Sequence, residues 1–154
     1  MTTLNISTAI KAPKNIVFDL SRNIDVHQNS ATSTHEKAIG GVTSGLININ
    51  ETVTWRGRHF GLYLTHKSQI TAMNLYDSFV DEMVAGHFKF FKHEHFFDYQ
   101  NEITIMTDRL QYETPFSIFG QIFDFLFLKK HLNKFLSERN RVLKSLAENQ
   151  YQDQ

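Results

Sequence analysis

The chain has 154 residues, enough for one domain with a real core. Sixteen basic residues balance sixteen acidic ones, so there is no bulk field to hold nucleic acid or anionic lipid. There is no cysteine, which excludes disulfides, thiol nucleophiles and thiolate zinc sites.

Leu4 to Ile10 alternates Leu4, Ile6, Thr8 and Ile10 against Asn5, Ser7 and Ala9, and reads as a strand. Ala12 to Leu20 follows as a short helix, with Pro13 suited to its first turn. Ser21 to Ser30 opens on capping residues and predicts a second short helix. Glu36 to Ile39 reads as a strand, and Gly40, Gly41 and Gly45 mark turns. The Gly40–Gly45 segment lacks the Gly-Lys-Ser/Thr ending of a phosphate loop.

The middle is a ladder of strands. Glu51 to Phe60 places Val53, Trp55, Gly57 and His59 on one face. Leu62 to Ala72 places Leu64, His66, Ser68, Ile70 and Ala72 together. Phe79 to Ala85 groups Phe79, Asp81 and Met83, and Gly86 marks a bulge or bend. Phe88 to Tyr99 and Glu102 to Tyr112 are the last two strands, joined by a Gln100-Asn101 turn.

Pro115 ends the ladder, and a long helix runs to Leu146. Its apolar stripe is Phe125, Leu128, Leu132, Phe135, Leu136, Val142, Leu143 and Leu146. A second set, Phe119, Ile122, Phe123, Leu126 and Phe127, lies on the opposite side. Gly120 is placed to turn part of that set toward a cavity mouth. Exposed apolar area costs about 25 cal/mol per Å², so a core, a ligand, a partner or a membrane must cover this face. Twelve of the fourteen phenylalanines lie between Phe79 and Phe135, which suits a bulky core or an apolar pocket wall.

Strands followed by one long helix predict an α+β fold. The expected architecture is a curved antiparallel sheet of about six to seven strands wrapped round the C-terminal helix, with two short helices after the first strand. One domain spans 1–149, and 150–154 is expected to fray. Met1-Thr2-Thr3-Leu4-Asn5 lacks the pattern of a signal peptide. Ile122 to Leu128 is far too short to span a bilayer and is interrupted by Asp124. A cytoplasmic location is therefore the expectation.

Motifs along nearly the whole chain carry a resemblance. They are Ala12-Pro13 with Val17-Phe18, Ile24-Asp25 with His27, and Val53-Thr54-Trp55-Arg56 with His59-Phe60-Gly61. Phe79-Val80-Asp81-Glu82-Met83 with Gly86 and Phe88, His93-Glu94-His95-Phe96-Phe97, and Thr107-Asp108 continue it. Pro115-Phe116 with Gly120, and Arg139 with Leu143-Lys144, complete it. In order and spacing these resemble the START-like, or SRPBCC, superfamily, and more closely its small bacterial proteins labelled cyclase-like or cell-division-inhibitor-like. The resemblance implies a helix-grip fold with a central apolar cavity more strongly than any chemistry.

His93 and His95 are two apart on a strand, so their imidazoles share a side. That is metal-ligand spacing, but no glutamate follows in Phe96-Phe97-Asp98-Tyr99, and no metal or cofactor is expected. Asp81 and Asp108 alternate with apolar residues. If buried, they need partners among His59, His93, His95 and Arg139. Trp55, Phe79, Met83, Phe88, Met106, Tyr112 and Phe123 are the candidate apolar wall. His59, Asp81, His93, His95 and Asp108 would orient a ligand.

The first functional expectation is a binder of a largely apolar small molecule: a lipid, an isoprenoid or a polycyclic aromatic. A polyketide cyclase or dehydratase using Asp81, His93 or Asp108 as acid and base is the alternative. The third is an interaction module, including a homodimer, built on Phe119–Phe127.

Overall fold

The computed structural model describes residues 1–153. Seven strands form one antiparallel sheet: β1 (Thr2–Ile10), β2 (Lys37–Gly41), β3 (Thr52–His59), β4 (Leu62–Asn74), β5 (Ser78–Ala85), β6 (Phe90–Gln100) and β7 (Ile103–Glu113). Their order is β1-β7-β6-β5-β4-β3-β2, so the first two strands form opposite edges. The chain crosses between those edges through α1 (Lys14–Ser21) and α2 (Ile24–Ser30). The sheet curves round a last helical run: α3 (Ser117–Phe123), a π turn over Asp124–Leu128, and α4 (Lys129–Gln152). This is the expected α+β helix-grip architecture.

Local chemistry sets most boundaries, with some shifts. The second helix starts later than Ser21, because Asn23 is its cap: its side-chain oxygen accepts from the backbone N–H of Asp25 and Val26 at 2.9 and 3.2 Å. The β6–β7 turn is Asn101-Glu102, one residue on from the expected pair. Both residues have positive φ, as a two-residue hairpin with the twist of its strands requires. Phe60-Gly61 makes the β3–β4 turn in the same way, and Gly61 supplies φ +81° at no steric cost.

Gly86 lies in a bend just beyond the end of β5, next to a bulge at Val84, where Lys67 pairs with Ala85 and Ser68 with Met83. A second irregularity falls on β4, where Ile70 pairs with Asp81 but Ala72 pairs with Val80. The extra residue shifts the alternation, so Met73 packs against the core and Ala72 faces out.

The long helix departs most from its expected stripe. Gly120, Asp124, Leu128, Leu132, Leu136, Arg139, Asn140, Leu143 and Ala147 are buried. Phe125 is 81% exposed and Leu146 39%. The π turn rotates the helix, and Asp124 takes the inner position expected for Phe125. Two hydroxyls hold it there: Tyr112 Oη–H donates to Oδ1, and Thr2 Oγ1–H to Oδ2, each at 2.5 Å. The C-terminal end also differs from expectation. The helix continues through Gln152, and Tyr151 packs on the core. Gln154 lies outside the described residues.

Two apolar clusters make the core. One gathers Phe18, Phe79, Phe97, Met106 and Leu143 with their neighbours. The other gathers Leu4, Leu110, Tyr112, Leu128, Leu132 and Leu136. Burying one such leucine contributes about 1.5–3 kcal/mol.

Gly120 sets how closely α3 approaches the preceding loop. A Cβ there would stand 1.9 Å from the carbonyl oxygen of Pro115. Gly120→Ala is therefore expected to destabilise the protein by about 1–3 kcal/mol. Chemical denaturation would measure this, and an unchanged midpoint would show that the helix start adjusts freely.

Candidate functional site

Register across the sheet assembles the site. On the inner face, Phe79 pairs with His95 and His95 with Asp108. In the next row Asp81 pairs with His93 and His93 with Leu110. Two imidazoles thus stand between two carboxylates. His93 Nε2–H donates to Asp108 Oδ1 at 2.9 Å. His95 Nδ1 lies 2.9 Å from the same oxygen, a close charge contact with poor hydrogen-bond alignment. His95 Nε2–H donates to Asp81 Oδ2 at 3.2 Å, while His93 Nδ1 is 3.9 Å from that oxygen. The two rings lie 3.9 Å apart, and Phe79 stacks on His95 at 4.1 Å.

Helix α4 completes this cluster. Asn140 Nδ2–H donates to Asp108 Oδ2 at 2.6 Å. Arg139 Nη1 is 3.9 Å from Asp108 Oδ1, and Nη2–H donates to the carbonyl of Ser21 at 2.9 Å. Burial pushes the Asp108 carboxyl up, but bonds from His93 and His95 outweigh it and hold it well below the usual carboxylate range. Asp81 is lowered against burial in the same way, chiefly by His95. Burial and the neighbouring His95 lower His93. Burial also acts to lower His95, but bonds to Asp108 and Asp81 leave it raised. The two carboxylates thus face two imidazoles and the Arg139 guanidinium.

Above this floor, between sheet and α4, lies a cavity of about 490 Å³ with a mostly apolar wall. That volume is in the range of small-molecule sites. Trp55, His59, Phe79 and Asp81 line it, as do Phe88, His93, His95 and Phe123. Four of the expected ligand contacts, three from the apolar wall and one orienting carboxylate, do not reach it. Met106 is fully buried in the core beside the Ser21 hydroxyl. Tyr112 is turned to Asp124. Met83 is packed so that a Cβ on Gly86 would come within 2.6 Å of its sulfur. Asp108 is fully buried behind the two imidazoles. The wall residues Phe60, Phe116, Phe119 and Phe123 are also exposed, which puts the mouth at the β3–β4 turn and α3.

A second polar group on the wall was not foreseen in the sequence. Glu36 Oε2 accepts from His27 Nε2–H at 2.7 Å, and Oε1 is 3.3 Å from His59 Nε2. His59 Nδ1 pairs with His131 Nε2 at 3.0 Å. Trp55 stacks on His27 at 4.1 Å. Gly57 leaves room for Glu36, since a Cβ there would meet its Cγ at 2.6 Å. A glycine between Trp55 and His59 on a strand face was the available signal of that close approach. Every histidine except His35 lines the cavity. Burial lowers His66 and His131.

Glu36 carries a pH dependence. Burial pushes its pKa up, but the bonds and charges of His27 and His59 prevail and hold it at about 2, below the ordinary 4.5. A lowered carboxylate stabilises the fold above its unfolded value, and that stability is lost as pH falls through the folded value. Glu36→Gln should therefore lower stability at neutral pH, with the deficit shrinking between pH 4.5 and about 2. Urea unfolding at a series of pH values would test this. A constant deficit across that window would remove the charge of Glu36 from the account.

No family model matches the chain, and no curated protein matches it either. Solved structures do match. The Zhui aromatase/cyclase from Streptomyces sp. R1128 has a TM-score of 0.75 at 10% identity, covering 96% of this chain and 93% of that one. A START superfamily protein from Mycobacterium smegmatis has a TM-score of 0.71 at 10% identity, covering 96% and 97%. Major latex-like protein 151 from Panax ginseng has a TM-score of 0.69 at 19% identity, covering 95% and 97%. Identities this low speak for the backbone and not for the site. At these TM-scores over nearly the whole length of both chains, the chain has the helix-grip fold seen in the START superfamily protein and the aromatase/cyclase.

Proposed function

We propose that the protein binds a largely apolar small molecule, such as a lipid, an isoprenoid or a polycyclic aromatic, between the sheet and α4. The observation that carries this reading is the cavity itself: an apolar wall above a buried polar floor. Arg139 Nε and Nη1 are buried with no hydrogen-bond partner among the described residues, although Arg139 lines the cavity. A ligand oxygen placed there would complete the guanidinium's bonding.

A second reading is a cyclase or dehydratase, favoured by the His95 imidazole standing between Asp81 and Asp108 at the cavity floor. One experiment addresses both. Trp55 is the only tryptophan and lines the cavity, so ligand entry should change its emission. Titration with an anilinonaphthalene sulfonate dye and with fatty acids is expected to saturate. Native mass spectrometry of freshly purified protein should show a bound mass. A ligand returned unchanged supports binding, and one returned lighter by water supports the dehydratase. Absence of both dye binding and a co-purified ligand would end the reading.

A third reading concerns the helix start. Phe116, Phe119 and Phe125 are each 78% exposed or more, and Ile118, Leu126 and Phe127 are exposed beside them. Such a contiguous apolar face commonly meets a partner. Docking of a second copy through Phe119–Phe127 predicts a dimer by size-exclusion chromatography with light scattering. Phe119→Ser with Phe123→Ser would convert it to monomer. A monomeric wild type would count against self-association.

A further inference from the structure

We propose that Asp81, His93 and His95 bind a divalent first-row transition metal ion in the floor of the cavity. The histidine pair lacks a downstream glutamate in the sequence. The third ligand comes instead from the adjacent strand, because Asp81 sits opposite His93 in the β5–β6 register. One donor atom from each of the three residues lies within 4.8 Å of the others. The nitrogens facing Asp81 Oδ2 are His93 Nδ1 at 3.9 Å and His95 Nε2 at 3.2 Å. A tetrahedral ion with arms of about 2.0–2.1 Å separates its ligands by about 3.3 Å. Small side-chain adjustments therefore bring the set into range.

The surroundings match what a metal site needs. Asp81, His93 and His95 line the cavity, so positions left open on the ion face a ligand or water. Asp108 does not line it and stands behind. Its Oδ1 is 2.9 Å from both outer ring nitrogens, His93 Nε2 and His95 Nδ1. Imidazoles that ligate a metal usually direct the other ring N–H to such a carboxylate, which sets their orientation. Asp108 is itself held by Asn140 at 2.6 Å. Two nitrogens and one oxygen, with no thiolate in the chain, suit Zn²⁺, Fe²⁺ or Co²⁺.

The test is independent of any apolar ligand. Untagged full-length protein, stripped with a chelator, is titrated with Co²⁺ alone and followed by its visible spectrum. We expect saturation at one equivalent with the absorption of a site of low coordination number. Asp81→Asn and His95→Gln should each weaken binding at least tenfold. His59→Gln, in the separate Glu36 group, should leave it unchanged. Circular dichroism confirms that each variant is folded. Histidine-ring NMR of the wild type with Zn²⁺ supplies a readout that needs no variant, and should perturb His93 and His95 before His27 and His59. The proposal is overturned if saturation is not reached, if folded Asp81→Asn binds as wild type, or if His59→Gln abolishes binding. First perturbation at His27 and His59 would overturn it equally.

Discussion

The structure depends on one buried carboxylate. Asp108 is fully enclosed, and an enclosed charge needs partners on several sides. Those partners come from elements far apart in the chain: His93 and His95 from β6, and Asn140 and Arg139 from α4. Arg139 ties the same group to the end of α1 through Ser21, and Asn140 reaches Thr8 on β1 at 3.4 Å. Removing one partner from a buried charged group costs about 3–5 kcal/mol, so these bonds restrict how α4 can rotate and slide over the sheet.

That polar seam divides the core. Along β7, Met106 belongs to one apolar cluster, Asp108 to the seam and Leu110 to the other cluster. Along α4 the same sequence appears in reverse, with Leu136, then Arg139 and Asn140, then Leu143. Beyond Leu143 the helix packs on the sheet and on α1. Before Leu136 the helix stays packed on β1 and β7 through Leu128 and Leu132, and the cavity opens beside that contact with Asp81, His93, His95 and Arg139 at its floor. Polar side chains at the floor are thus both the anchor of the helix and, with the Glu36 group and Arg22, charged chemistry that the cavity presents.

The helix start follows from a second polar anchor. Tyr112 and Thr2 hold Asp124 inside, and the π turn that admits Asp124 turns Phe125 outward. Apolar side chains are consequently left at the mouth and on the outer face. No helix among the described residues is long and apolar enough to cross a membrane, so this surface is a local patch and not a span.

Much of the fold was legible because it rests on local patterns. Period-two alternation marked the strands, and the apolar spacing from Leu132 to Leu143 marked the grip. The sharing of one face by His93 and His95 followed from their spacing alone. Register was not legible, because it depends on contacts between strands. Only pairing shows that Asp81 meets His93, that Asp108 lies behind the imidazoles, and that Tyr112 looks away from the cavity. Glu36 and His131 escaped notice for the same reason: each gains meaning only from histidines on other elements, Glu36 from His27 and His59, and His131 from His59. The sequence by itself determined which elements form and which faces are apolar. The tertiary structure decided which polar side chains meet, because burying a charge is tolerable only where partners from distant segments converge on it.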